Sequence, residues 1–365
     1  MIEIKRGKIL RQLYARPGIE YYLIRIEDRE EKCISYPDMI GPLNTGDEVL
    51  VNTGAVSLNL GTGGYHFVIS NLHSEKRPMT PGGHIMKLRY TPMQVKVLSV
   101  EEEDSPHHNL MAEADNLEKT PVIVTTLHSM LAPLCIKLHE YRLRVAYVMT
   151  DGAALPISFS QSVYWLKTQG MLEGTVTIGH AFGGDLEAVN IYSGLLAAQK
   201  IIKADVIIAG MGPGIVGTGT KWGFTGIEQG DILNAVEVLN GTPMAVPRIS
   251  FADRRKRHYG ISHHTLTVLS RVCRVKAVVP LPVMDEEKTD YILGQITAAQ
   301  IADRYQFCME DSSSVIELLK KSPFKITTMG RGVEEETEFF RTLGAAAIAA
   351  KRLLRKEKLH WVSLV

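Results

Sequence analysis

From Pro121 onward, apolar runs of about five to eight residues alternate with helical patterns, and this rhythm limits the possible folds more than any other feature of the chain. The runs are VIVTT, RVAYVM, TVTIG, DVIIAG, PMAVPRI, KAVVPL and FKITTM. Near-continuous apolar strands joined by helices are parallel strands covered on both faces, so the pattern predicts a doubly wound parallel α/β sheet. Helix ends are visible between the runs. Ser158 and Gln161 read as a capping box before VYWLKTQG, and Asn240-Gly241 closes a helix begun near Asp231.

Before Val100 the texture is different. The segments IEIKRGKIL, EYYLIRIE, DEVLVNT, YHFVIS and IMKLRYTPMQVKVLSV are short and rich in β-branched and aromatic residues, with turn signals such as ARPG and TPGG between them. That predicts a small β-barrel or β-sandwich. The glycines of LNLGTGGYHFVIS, Gly61, Gly63 and Gly64, read as a hairpin connection. Glu101 to Thr120 is polar and acidic and reads as a linker. With 365 residues, more than one core usually holds, the expected division is a β-rich domain over 1–105, a linker over 106–120 and an α/β domain over 121–365.

Composition excludes several functional classes. Lys plus Arg number 41 against 40 Asp plus Glu, a formal charge of +1, so no bulk field draws the chain to nucleic acid, and RNA binding ranks last. No apolar stretch is long enough to span a membrane, and the N-terminus lacks the apolar core of a secretory signal. Cys33, Cys135, Cys273 and Cys308 are far apart and form no CxxC pair, which argues against a zinc or redox motif and for a reduced, cytoplasmic protein. Composition leaves a homo-oligomer open and names no cofactor.

Open α/β sheets bind ligands beyond the carboxyl ends of their strands, so the residues after each run carry the functional argument. They are Asp151-Gly152 after RVAYVMT, His180 to Asp185 after TVTIG, a glycine loop after DVIIAG, and SFADRRKRHYGISHH after PMAVPRI. The loop holds seven glycines between Gly210 and Gly226. Gly212, Gly214 and Gly217 form a formal GxGxxG, but no helix opens directly behind it, as a dinucleotide fingerprint requires. Thr218-Gly219-Thr220-Lys221 is out of register with a P-loop. The loop is therefore read as an anion-binding nest, with Thr218 and Thr220 as hydroxyl donors and Lys221 as a charge; the competing reading is a flexible lid.

Asp151 leaves a buried strand too early to cap the next helix and is the first choice for a general base, against a plain Asx turn. Asp185 and Asp231 precede helices, where a cap is the default, and Asp185 and His180 are carried as ligand contacts. In the basic run, Arg254 is assigned to the anion. His263 and His264 stand at a helix start as proton-transfer groups, and their adjacent positions, about 100° apart, argue against both ligating a metal.

In this order, the strings NTGAVSLNLGTGGYHFV, TDGAALP, GHAFGGDLEAVN and GMGPGIVGTGTKWGFTG resemble a family of bacterial proteins known only as a domain of unknown function. The resemblance covers nearly the whole chain. It implies a soluble bacterial protein and brings no activity or site residue. The residues themselves lead to an enzyme acting on a small phosphorylated or carboxylated substrate without a tightly bound metal; the alternative is a non-catalytic ligand sensor.

Overall fold

The computed structural model describes residues 2–61, 63–74 and 78–362. It divides into two compact units, Met1–Gly82 with Leu88–Val95, and Gly83–Lys87 with Lys96–Val365.

The first unit is a closed barrel in the order β1-β2-β3-β5-β4. Its strands are β1 (Ile4–Arg16), β2 (Ile19–Ile26), β3 (Arg29–Ser35), β4 (Glu48–Asn52) and β5 (Tyr65–Asn71), with the short helices α1 (Pro37–Ile40) and α2 (Gly54–Ser57). β1 serves two neighbours: Ile4 to Lys8 pair with β4, and Lys8 to Arg16 with β2. Register shifts between Ile9 and Arg11 and between Gln12 and Tyr14 mark bulges in β1. Such bends let a sheet of few strands close on itself. Ile9, Tyr22, Ile24, Val49, Val51 and Val68 fill the interior. Gly61, Gly63 and Gly64 lie after α2 in the connection between the antiparallel partners β4 and β5.

In the second unit, a ribbon of β6 (Ile85–Lys87) and β7 (Val95–Val97) and the helix α3 (His108–Glu113) precede the main sheet. The acidic stretch read as a linker is fastened to this unit by its own carboxylates. Glu102 accepts the amides of Ser99 and His84, each at 2.6 Å, and Glu101 accepts that of Val189 at 2.9 Å. The division between the units accordingly falls within 82–96, before the acidic residues. Lys87 is buried, and its ammonium reaches the carbonyl of Ala181 at 2.9 Å and the carboxylate of Glu187 at 3.1 Å.

The sheet runs β11-β10-β9-β12-β8-β13-β16-β17, and every pair is parallel. Its strands are β8 (Pro121–Val124), β9 (Val145–Thr150), β10 (Gly174–Thr177), β11 (Leu186–Glu187), β12 (Val206–Met211), β13 (Thr242–Ala245), β16 (Val278–Pro282) and β17 (Gln306–Glu310). A small antiparallel pair, β14 (Ile249–Ser250) and β15 (Gly260–Ile261), follows β13. Along each strand the side chains divide by alternation: Ile123 and Ile208 join one core, Val122, Val124, Ile207 and Ala209 the other. The first core is covered by α4 (Leu131–Glu140), α5 (Gln161–Thr168), α10 (Ser314–Lys320) and α11 (Thr337–Leu354). The second is covered by α6 (Ile191–Lys200), α7 (Glu228–Val238) and α9 (Glu286–Ala298), and α8 (His263–Thr267) runs into a π-helical turn whose Leu269 joins it.

Two segments differ from the sequence reading. FKITTM forms no strand, because Thr328 and Arg331 exchange both backbone hydrogen bonds across a tight turn. The edge strand is QFCME, β17, whose polar ends hid it from a search for continuous apolar runs. β17 is itself flanked by the C-terminal segment, with Met309 N–H bonded to His360 O at 2.9 Å and Val362 N–H to Phe307 O at 3.0 Å. The cap of α5 is Ser160, which accepts the Val163 amide, not Ser158. No helix among the described residues is long and apolar enough to cross a membrane.

Candidate functional site

The adjacent strands β8 and β12 are followed by α4 and α7 on opposite faces of the sheet. Their carboxyl ends therefore form the switch point where open sheets hold ligands. All four segments singled out in the sequence reach this edge, the one from His180 to Asp185 through the His180 amide and not through Asp185.

At the end of β9, the Asp151 carboxylate accepts the His180 amide at 3.1 Å and so ties the end of β9 to that of β10. The next turn closes through Ala154 N–H to Asp151 O at 2.8 Å. Beside it, Thr150 Oγ1 donates to Glu228 Oε1 at 2.6 Å. Burial pushes the Glu228 carboxyl up to about 7 against the pull of that hydrogen bond, and the charges of Asp151 and Asp231 add to the rise. Glu228 was missed in the sequence. Its signal was an acid in the first turn of the helix that follows the glycine loop.

Under the loop, the Tyr147 hydroxyl reaches the carbonyls of Gly210 at 3.1 Å and Met211 at 3.0 Å. His128 links Tyr147, at 3.3 Å, to Ser160 Oγ, at 2.7 Å, and burial lowers its imidazole to about 4. This polar chain anchors the base of the loop to the sheet.

The loop itself is a hairpin, which changes the reading of an open nest. Gly217 bridges Phe224, Thr225 N–H reaches Val216 O at 2.9 Å, and Thr218 N–H reaches Gly223 O at 2.8 Å. Thr218 and Thr220 are turned to each other, 2.9 Å between hydroxyls, and Thr220 also accepts the Gly223 amide at 3.1 Å, so both hydroxyls are spent within the tip. Lys221 is exposed at that tip, with its ammonium 5.7 Å from the centre of the Trp222 ring. Gly212 lies against Met149 at the base of the hairpin. Gly214 has φ +110°, where a side chain is strained, and a methyl there would stand 3.2 Å from Ala153 Cβ. A methyl on Gly217 would stand 3.3 Å from His264 Cε1, so the hairpin joins the β9 end to the histidines.

After β13 the chain carries an ionic cluster built around the buried carboxylate of Asp253. Asp253 accepts Arg248 Nη2 at 3.0 Å and Arg255 through Nε at 3.0 Å and Nη2 at 2.8 Å, with Arg331 Nη2 at 3.6 Å. The Arg255 hydrogen bond, more than any other influence, holds the Asp253 carboxyl well below the usual carboxylate range. Arg331 also pairs with the buried Glu336, which accepts Ser250 Oγ at 2.7 Å. Arg254 is exposed beside this cluster and lines a cavity of about 700 Å³ with Asp253, Arg255, Met329, Arg331 and Glu335. Arg331 and Glu336 come from a distant part of the chain and carry no local signal.

His258, His263 and His264 stand together, with one nitrogen of each ring within 4.8 Å of the other two. Adjacent in sequence, His263 and His264 bring their ring centroids within 4.2 Å, and His258 closes on both from the preceding turn, with centroids 5.0 Å from His263 and 5.2 Å from His264. Burial first, then the neighbouring arginines Arg248 and Arg255, lowers His258 to about 3. Burial and His263 lower His264 to about 4, and burial and Arg257 lower His263. All three are neutral at pH 7.

Asp185 is set apart from this edge. It accepts the Thr175 amide at 2.8 Å and hydroxyl at 2.9 Å near the start of β10 and pairs with Lys167, so its carboxylate fastens the opposite end of the strand. Nor does it cap α6, where Asn190 forms the capping box. His180 reaches the site through its backbone amide, and Asp231 lies within the first turn of α7.

No curated protein matches the chain. Residues 32–347 match a family described as "Protein of unknown function (DUF3866)". That span leaves out β1 and β2 but takes in β4, β5 and the whole carboxyl edge from Asp151 to Glu336, and the chain belongs to the DUF3866 family.

Proposed function

We propose that this chain binds a small phosphorylated or carboxylated molecule at the carboxyl edge of its parallel sheet and catalyses a proton transfer on it. The observation that carries the reading is Glu228, a carboxyl pushed up to about 7 at the strand-order switch point, with Asp151 as a charged neighbour. A general acid or base works best with a pKa near the operating pH. Glu228 moves the proton. Burial raises the Glu228 carboxyl, and Asp151, held by the His180 amide, adds to that rise with its neighbouring negative charge. Arg254, Arg255 and Arg331, around the cavity of about 700 Å³, offer the anion its charge partners. The four cysteines are buried free thiols, which suits the reducing cytoplasm where this reading places the chain.

Mass spectrometry of small molecules released from the denatured, purified chain names the ligand class. With that molecule, Glu228→Gln is expected to lose turnover while still binding, and Arg254→Ala with Arg331→Ala to lose binding. A chain that releases nothing, and whose melting temperature responds to neither phosphate nor dicarboxylates, would sink the proposal.

A further inference from the structure

We propose that His258, His263 and His264 form a binding site for a divalent transition-metal cation of the zinc and cobalt class. Three imidazoles from a span of seven residues bring one nitrogen each within 4.8 Å of the others. Zinc–nitrogen bonds of about 2.0–2.1 Å place tetrahedral ligand nitrogens roughly 3.4 Å apart, so the rings need to close by only about 1–1.5 Å. The second observation is His263 Nε2, which is enclosed and has no hydrogen-bond partner among the described residues. A buried ring nitrogen without a partner is costly, and a metal ion would satisfy it.

The surroundings fit such a site. Ser262 Oγ holds His258 Nδ1 at 2.8 Å and fixes the ring, as polar neighbours of metal-binding histidines commonly do. Arg248 Nη1 stands 3.2 Å from the same nitrogen, but Arg248 and Arg255 both pair with Asp253, which offsets their charge. Three histidines leave a fourth position for water or substrate. Gly217 lies over His264 without a side chain, and Gly219 lies close to Arg257, a cation suited to an anionic fourth ligand. The proposed proton transfer at Glu228 itself needs no metal.

The test uses the full chain, freed of metal by a chelator and titrated with Co2+ alone. Visible d–d bands that saturate at one ion per chain and are bleached by Zn2+ are expected. His263→Gln should remove them, and Ser262→Ala should weaken binding about 10–100-fold. Should the histidine variant fail to fold, acylation of wild-type histidines followed by mass spectrometry answers the same question: Zn2+ must protect the partly exposed His263 and His264. Absence of the bands in the wild type, their persistence in folded His263→Gln, or acylation unaffected by Zn2+ overturns the site. Stabilisation by phosphate in the chelator-treated chain is read separately, so failure of the metal site and failure of the anion reading are distinguishable.

Discussion

The His264 ring lies flat against Phe224, with centroids 4.0 Å apart and planes 6° apart. One ring belongs to the arm of the glycine hairpin and the other to the start of α8. The contact therefore sets how the hairpin stands over the histidines. Phe224 is 4% exposed, which makes it the buried anchor of a loop whose tip is open to water.

Removing that anchor should free the hairpin. Phe224→Ala is expected to cost about 3–5 kcal/mol by denaturant unfolding. It should also make the 216–225 segment the first site of proteolytic cleavage. Phe224→Leu keeps most of the apolar burial and should cost less. Equal resistance of wild type and Phe224→Ala to protease would show that the stack does not hold the hairpin.

Two glycines of the hairpin should fail for different reasons. Gly214→Ala forces a side chain onto a backbone at φ +110°, a strain of about 1–3 kcal/mol that unfolding measurements will read. Gly217→Ala has no such strain, but its methyl presses on His264 at 3.3 Å. The expected result is a small stability change with weakened ligand binding. Normal binding by the double variant would remove this loop from the site.

Stability should fall with rising pH because of Glu228. Its folded pKa of about 7 lies above the ordinary glutamate value of 4.5, so between these values the folded chain holds a proton the unfolded chain has lost. The contribution is complete below the lower value and gone above the upper one. Glu228→Gln cannot ionise, so its unfolding free energy should decline less than that of the wild type from about pH 5 to about pH 8. Parallel profiles for the two proteins would show that Glu228 has an ordinary pKa.

Asp253 is the common partner of three guanidinium groups, and it is 4% exposed. Asp253→Asn leaves the buried Arg248 short of its counterion and loosens the more exposed Arg331 and Arg255, a loss of up to about 3–5 kcal/mol. A thermal melt should show it as a large drop. A drop no larger than that of an exposed control such as Asp311→Asn would mean the arginines find other partners.

What could be read from the sequence follows from where each signal resides. VIVTT, RVAYVM and DVIIAG could be placed as central strands because burial on both faces leaves a local apolar mark. QFCME could not, since its terminal residues are polar: Gln306 is exposed, and Glu310 is buried against Arg352 at 3.1 Å. The site was legible in the same uneven way. Asp151, the glycine loop and the basic segment follow strands directly, so topology alone brings them to one edge. Glu228 gains its role from burial beside Asp151, and Arg331 and Glu336 reach Asp253 and Ser250 from about eighty residues away. Thr218, Thr220 and Lys221 had the right chemistry, but the hairpin's own hydrogen bonds turn the two hydroxyls inward.

The margins of the eight-stranded sheet have a further consequence. An exposed edge strand is a template on which another chain can polymerise. Here one margin, β11, is two residues long and too short to guide a visitor into register. The other, β17, already carries the C-terminal segment as a selvedge, through Met309 and Val362. The barrel of the first unit, closed through both sides of β1, has no margin at all. Margins so hemmed resist growth by strand addition along the eight-stranded sheet and around the barrel.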